Sequence, residues 1–230
     1  MLHFLPAGSP VREALRTNNV IRQQLHRPGT ARYPKGKERV EMILNAAKDI
    51  LVKKGYPGLT MRNIATAAAT TVGNLQYYYS DKDRLLKDLL NYMVNGFFES
   101  FTTILENPKS SPEAKLIAYI DCIFDAFPIE DKGKFYPEFW ALSNHDKVAA
   151  QLMEEMYDTG MESLRKIIGE INPTLTRTEV KDIAVTIVGS VEGLVVFVGY
   201  QRPWAKSLKA VRRYVIENCL HLVKTERRVR

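Results

Sequence analysis

Between Thr60 and Lys82 the sequence gathers side chains suited to one kind of chemistry, hydrogen bonding to phosphates and to the edges of stacked bases. Gln76 carries an amide that can read adenine, and Thr71 can offer a base edge its hydroxyl or its methyl group. Gly73 lets a backbone come close to phosphate, and Asn74 keeps the same segment polar. Tyr77 and Tyr78 can bond phosphates through their hydroxyls while packing their rings. Lys82 puts a cation in the first turn of a following helix, where N-terminal N–H groups already attract phosphate. Thr60, Arg62 and Val72 complete this candidate set.

Catalytic patterns are missing from the sequence. His3, His26, His145 and His221 are scattered, with no His-x3-His or Cys-x2-Cys ligand spacing. There is no Gly-rich phosphate loop and no Gly-x-Ser-x-Gly elbow. We expect no enzymatic activity, no cofactor and no metal. His145 reads as a helix-start residue. Cys122 and Cys219 are too few for a disulfide framework, fall on helical faces as ordinary buried thiols, and suit a reducing compartment, the cytoplasm.

The positioning elements must come from an ordinary globular chain of 230 residues, 45% hydrophobic and 26% charged. That balance excludes wholesale disorder and collagen-like repeats. No run of about 18 apolar residues exists, so no membrane partner is expected. Of the net charge of +7, +6 falls in residues 1–37, where seven Arg and Lys stand against Glu13. Such a basic arm favours polyanions. It has no secretory apolar core, although its Arg-rich, acid-poor makeup loosely resembles a transit peptide. Residues 11–26 can form a short helix capped by Ser9; a mobile tail is the other reading.

Helical periodicity recurs and strand signals are nearly absent. Val40, Ile43, Leu44, Ala47, Ile50 and Leu51 stripe a helix over 37–54 that Gly55 stops. Thr60 reads as the N-cap of a short helix over 61–68, with Leu59 and Ile64 as a hydrophobic staple. After a break at Ala69-Thr70 comes a second short helix over 72–78. Ser80 and Asp83 read as a capping box opening a helix over 81–106. Ser143 and Asp146 read as a second box, opening a helix to about residue 169. Thr176 and Glu179 read as a third, opening a helix to about residue 200. Ser111-Pro112 starts another helix, and a final one covers about 206–225. Residues 129–145 are ambiguous. The expectation is an all-α protein: a basic arm over 1–36, a helix-turn-helix domain over 37–84, and a helical domain over 85–230.

Residues 38–86 resemble the DNA-binding domain of tetracycline-repressor-type regulators. The likeness lies in Arg39 to Ala47, the Gly55 to Thr60 turn, Ile64-Ala65, and the block from Val72 to Leu86. Two departures stand out. The family usually has Gly-Val where this chain has Ala69-Thr70, and an aromatic where it has Gln76.

The resemblance implies a regulator, usually a repressor, that binds a double-stranded palindromic DNA operator as a homodimer and answers to a small-molecule effector. It implies a dimer seam from the last two helices, for which Ile183, Ile187, Val191, Leu194 and Val198, then Leu208, Val211, Val215 and Leu222, are the candidates. An effector pocket is implied too, with Phe97, Phe101, Phe124, Phe127, Phe139, Trp140, Tyr157 and Glu192 as candidates. Each aromatic fits plain core as well. Glu192, interrupting an apolar stretch, either faces solvent or a dimer-edge partner, or is a buried polar handle suited to a cationic ligand. The alternative function is a dimeric DNA-binding or interaction protein without small-molecule control.

Overall fold

The computed structural model describes residues 34–225, with the side chains of Pro34, Lys35, residues 95–102, Leu105 and Glu106 excepted. The candidates Phe97 and Phe101, and the whole basic arm before Pro34, lie outside the described residues. All regular structure among the described residues is helical. None of these helices is long and apolar enough to cross a membrane. The chain forms two compact units, one of residues 34–96 and 134–156, the other of 97–133 and 157–225.

In the first unit, helix α1 (Pro34–Gly58) breaks at Gly55, whose φ of 66° is left-handed. That is the expected stop, and glycine adopts it without a Cβ clash. Helix α2 (Met61–Ala67) is capped by Thr60, whose hydroxyl accepts from the Asn63 N–H at 3.2 Å. Leu59 and Ile64 are fully buried, as the staple requires. Helix α3 (Val72–Tyr78) follows, and helix α4 (Lys82–Glu106) opens after it.

The turn between α2 and α3 has a defined chemistry. The Thr70 N–H donates to the Ala65 carbonyl and the Ala69 N–H to the Thr66 carbonyl, the paired bonds of a Schellman ending. Its left-handed position is Ala69, at φ 46°, where a glycine would sit without strain. Arg39 donates to the Ala69 carbonyl at 3.4 Å, and the Asn74 amide donates to Thr70 Oγ1 at 2.8 Å. Replacing Ala69 by Gly should therefore raise stability by about 1 kcal/mol. The expected readout is a melting midpoint higher by roughly 2–4 °C. An unchanged or lower midpoint would mean that Ala69 carries no strain.

Two expected caps are displaced by one or more residues. Helix α4 is capped by Asp81, which accepts from the Arg84 N–H at 2.8 Å, while Ser80 donates its hydroxyl to that carboxylate. Helix α6 (Glu130–Ser143) fills the ambiguous stretch. Helix α7 (Lys147–Ile171) is then capped by Asp146, which accepts from the Ala149 N–H at 3.0 Å. Ser143 instead donates to the Trp140 carbonyl at 2.8 Å, inside α6. In both places a carboxylate competes with a hydroxyl for the orphan N–H groups, and the charged acceptor wins. The core of this unit joins Ile43, Leu44 and Leu51 of α1 to Leu75, Leu85, Leu86, Phe135 and Phe139, all almost fully buried.

The second unit contains α5 (Pro112–Phe124), capped by Ser111, the C-terminal half of α7, and α8 (Arg177–Glu192), opened by the expected Thr176–Glu179 capping box. The helix expected to reach residue 200 ends at Glu192, and α9 (Val195–Val198) resumes after Gly193. Two glycines one turn apart, Gly189 and Gly193, weaken the helix there. A 3-10 turn over Ala205–Ser207 leads into α10 (Leu208–Lys224). Arg212 of α10 clamps α5, with Nε 2.6 Å from Asp121 Oδ1 and Nη1 2.7 Å from Asp125 Oδ1. The buried Asn172, after α7, donates to the Val223 carbonyl at 2.9 Å.

Candidate nucleic-acid interface and candidate effector site

Helix α3 has seven residues, too few to be stable alone. It is fixed from below by Leu75 and by Tyr79, just after its end, both fully buried. The same register leaves Thr71, Val72, Gly73, Asn74, Gln76 and Tyr77 exposed. Tyr77 is 67% exposed, and its ring meets Tyr78 edge-on at 5.2 Å. Thr60 and Arg62 are exposed at the start of α2.

Two of these side chains also hold local structure. Thr71 is the N-cap of α3, accepting from the Asn74 N–H at 3.1 Å, so its hydroxyl hydrogen and methyl remain for a base. Asn74 spends one of its two amide N–H donors on Thr70. Gln76 has no such local duty among its described bonds. A Cβ at Gly73 would meet nothing within 4 Å, so the fold itself places no demand for glycine there.

Lys82, first residue of α4, lies with its ammonium 3.7 Å above the centre of the Tyr56 ring. Partial burial lowers its pKa, against the pull of Asp146 and Asp83. The Tyr56 hydroxyl donates to Asp146 Oδ2 at 3.4 Å, and burial followed by the Asp146 charge raises the Tyr56 pKa. Tyr56 and Asp146 escape sequence reasoning because they are far apart in the chain. Arg39, which steadies the α2–α3 turn, escapes it for the same reason.

The aromatic candidates separate. Tyr157 and Glu192 meet in the second unit, the tyrosine hydroxyl donating to Glu192 Oε2 at 2.5 Å. Burial pushes the Glu192 carboxyl up to about 7, opposed by the Tyr157 bond. Tyr119, missed in the sequence, is buried nearby in charge terms: burial and then Glu192 raise its pKa, and its hydroxyl donates to the Gly160 carbonyl at 3.3 Å. Its place on the apolar face of α5 was the only available signal. Phe124 and Phe127 pack on each other in the same unit, with centroids 5.1 Å apart. Phe139 stacks on Phe135 in the core of the first unit, to which Trp140 also belongs.

The candidate dimer stripe is divided as well. Ile183, Ile187, Val191 and Val198 are at most 2% exposed in the single chain, so they serve its own core. Leu194, Leu208, Val211, Val215 and Leu222 are half-buried. The exposed apolar residues on these elements are Val185, Val196, Phe197, Trp204 and Tyr214. The Phe197 and Trp204 rings lie 6.0 Å apart, and the Arg213 guanidinium stands 4.9 Å over Tyr214. Among the described residues no group of three or more His, Cys, Asp or Glu is arranged to hold a metal ion.

Residues 43–89 match the model of bacterial regulatory proteins of the tetR family. An uncharacterised HTH-type transcriptional regulator in the dhlA 5′ region of Xanthobacter autotrophicus is 28% identical over 155 residues, covering 65% of this chain and 72% of that protein. A TetR-family transcriptional regulator from Rhodococcus sp. superposes with a TM-score of 0.67 at 21% identity, over 82% of this chain and 100% of that one. A transcriptional regulator from Saccharomonospora viridis, solved in complex with choline, gives 0.67 at 17% identity, over 80% and 96%. The matched segment contains α2, α3, the turn at Ala69 and the start of α4, and the remaining helices share the fold of such regulators. Over residues 43–89 the chain is thus similar to the tetR family of bacterial regulatory proteins, and its described helices share the fold of the solved regulators.

Proposed function

We propose that the protein is a homodimeric repressor released from a palindromic operator by a small-molecule effector, with residues 37–84 as its DNA-binding domain and 85–230 as its regulatory and dimerisation domain. The observation that carries the DNA-reading part is α3, whose outward residues are polar, small or hydroxyl-bearing while Leu75 beneath them is fully buried. Gln76 reads a base, Thr71 and Asn74 support it, and Gly73 admits the phosphate backbone. Lys82, Tyr77 and Tyr78 contact phosphates, with Thr60 and Arg62 beside them.

The dimer seam uses the exposed apolar residues of α8 to α10, Phe197, Val185 and Tyr214 among them, backed by the buried stripe behind. Light scattering should give about twice the 26.2 kDa chain mass. A monomer that still binds its operator tightly would contradict the two-fold arrangement.

The effector class we assign is a compact organic cation. Glu192, placed beside Tyr157 and raised in pKa by burial, is a carboxylate that a bound cation would stabilise in its charged form. The choline complex of the Saccharomonospora neighbour is a property of that protein; it supports the class for this chain and no particular molecule.

Two substitutions test the DNA reading. Lys82→Ala should weaken binding to every duplex and lower the slope of log affinity against log salt by about 0.9. Gln76→Ala should cost about 1–3 kcal/mol at one operator position and little on random DNA. Equal losses on specific and random DNA for both variants would remove Gln76 from base reading.

A further inference from the structure

Three groups from three separate parts of the first unit converge at the start of α4. Tyr56 lies just past the Gly55 break in the last turn of α1, Lys82 opens α4, and Asp146 caps α7. Both carboxylate oxygens of Asp146 are committed, Oδ1 to the Ala149 N–H and Oδ2 to the Tyr56 hydroxyl. The contact to Tyr56, at 3.4 Å, is long, so it steers the group more than it binds it. The ring that Asp146 touches at its hydroxyl is the ring that carries the Lys82 ammonium on its face. Asp83, next to Lys82, is the other anion pulling on that ammonium.

We infer that Asp146 and Tyr56 are positioning residues that hold Lys82 in reserve, so that α7 and a DNA phosphate compete for one ammonium. The inference rests on the reading of Lys82 as a phosphate contact. An ammonium over an aromatic face is already partly stripped of water, and a fixed carboxylate nearby lowers its free energy further. A phosphate arriving at the α4 N-terminus must draw the cation away from both. The strength of the DNA contact is thereby set by a residue that caps α7, ninety positions beyond Tyr56 in sequence. A shift at the start of α7 would change the hold on Lys82 without any movement of α3.

The test is a double-mutant cycle on the full-length protein, read by fluorescence anisotropy with a labelled random-sequence duplex across a salt series. Asp146→Asn keeps one oxygen to cap α7, removes the charge, and puts an amide NH2 where Oδ2 accepted from Tyr56. With Lys82 present it should raise affinity about threefold to tenfold, the scale of removing one carboxylate charge that pulls on the ammonium, and steepen the salt slope by a fraction of a unit. In the Lys82→Ala background the gain should fall below about twofold, since only general repulsion by one surface anion is then removed. Tyr56→Phe keeps the ring and loses the steering contact. It should give a smaller gain, again only with Lys82 present, and it decides the matter if Asp146→Asn does not fold by circular dichroism. Gains that are equal with and without Lys82, or no gain, would overturn the proposal while leaving Lys82 as a phosphate contact. A Lys82→Ala variant with unchanged affinity and salt slope would remove that contact, and the proposal with it.

Discussion

Glu192→Gln should melt well above the parent protein at pH 8 and together with it near pH 4.5. The ordinary carboxyl value is 4.5, and burial lifts that of Glu192 to about 7. Below pH 4.5 the group is protonated in the folded and unfolded chain alike and has no effect on the balance. Between 4.5 and 7 the folded protein keeps a proton that the unfolded chain has released, so stability falls as pH rises. Above about pH 7 the loss is complete and no longer changes. Its size is on the order of 2–3 kcal/mol, allowing for the partial exposure of the residue. Glutamine removes this ionisation and keeps an oxygen for the Tyr157 hydroxyl. Calorimetric scans of both proteins from pH 4.5 to 8 measure the difference. Parallel curves would show that the Glu192 carboxylate is hydrated like any surface group. The same variant tests the effector class: an organic cation such as choline should stabilise the parent most above pH 7 and the variant hardly at all.

Arg212→Ala should cost about 2–3 kcal/mol of unfolding free energy. The guanidinium spans Asp121 on α5 and Asp125 at its C-cap, one turn apart, at 2.6 and 2.7 Å, and the Asp125 side chain is only 11% exposed. Removing the arginine leaves two like charges side by side on one helix face, with little water available to the inner one. Partial exposure of the pair keeps the expected cost under that of a fully buried ion pair. Arg212→Lys should recover less than half, because one ammonium cannot bond both carboxylates in the fork geometry. Adding Asp121→Asn and Asp125→Asn to Arg212→Ala should recover most of the loss. Urea titrations of this series are the measurement, and a loss below about 0.5 kcal/mol for Arg212→Ala would assign the clamp no more weight than an ordinary surface pair.

What the sequence makes legible here is what neighbouring residues decide among themselves. Thr60 and Thr176 cap their helices because hydroxyl and N–H sit three residues apart, a distance the chain cannot lose. Ser80 and Ser143 have the same local credentials, yet an aspartate within reach takes the cap. The box pattern therefore locates a helix start to within a few residues and cannot choose between adjacent acceptors. The apolar stripe through Ile183 and Ile187 is legible as a buried face, but its period does not say whether the protomer's own core or a twin covers it. Those two residues are covered from within. The exposed residues of α3 are legible because Leu75 fixes the register. The Tyr56–Asp146 contact is not, since nothing local marks two positions so far apart.

The seven-residue reading helix also bears on how such a regulator can change its target over time. Thr71 and Asn74 are doubly employed: one caps α3, the other ties it to Thr70, so altering either disturbs the frame together with the message. Gln76, Tyr77 and Val72 hold no described bond that the frame needs, and Gly73 has open space around it. On the proposed reading, substitution at Gln76 would therefore change operator preference with little loss of fold, and Val72, Gly73 and Tyr77 are equally open to change. Substituting Thr71 or Asn74 would instead loosen α3 itself, because each holds a bond that frames the helix.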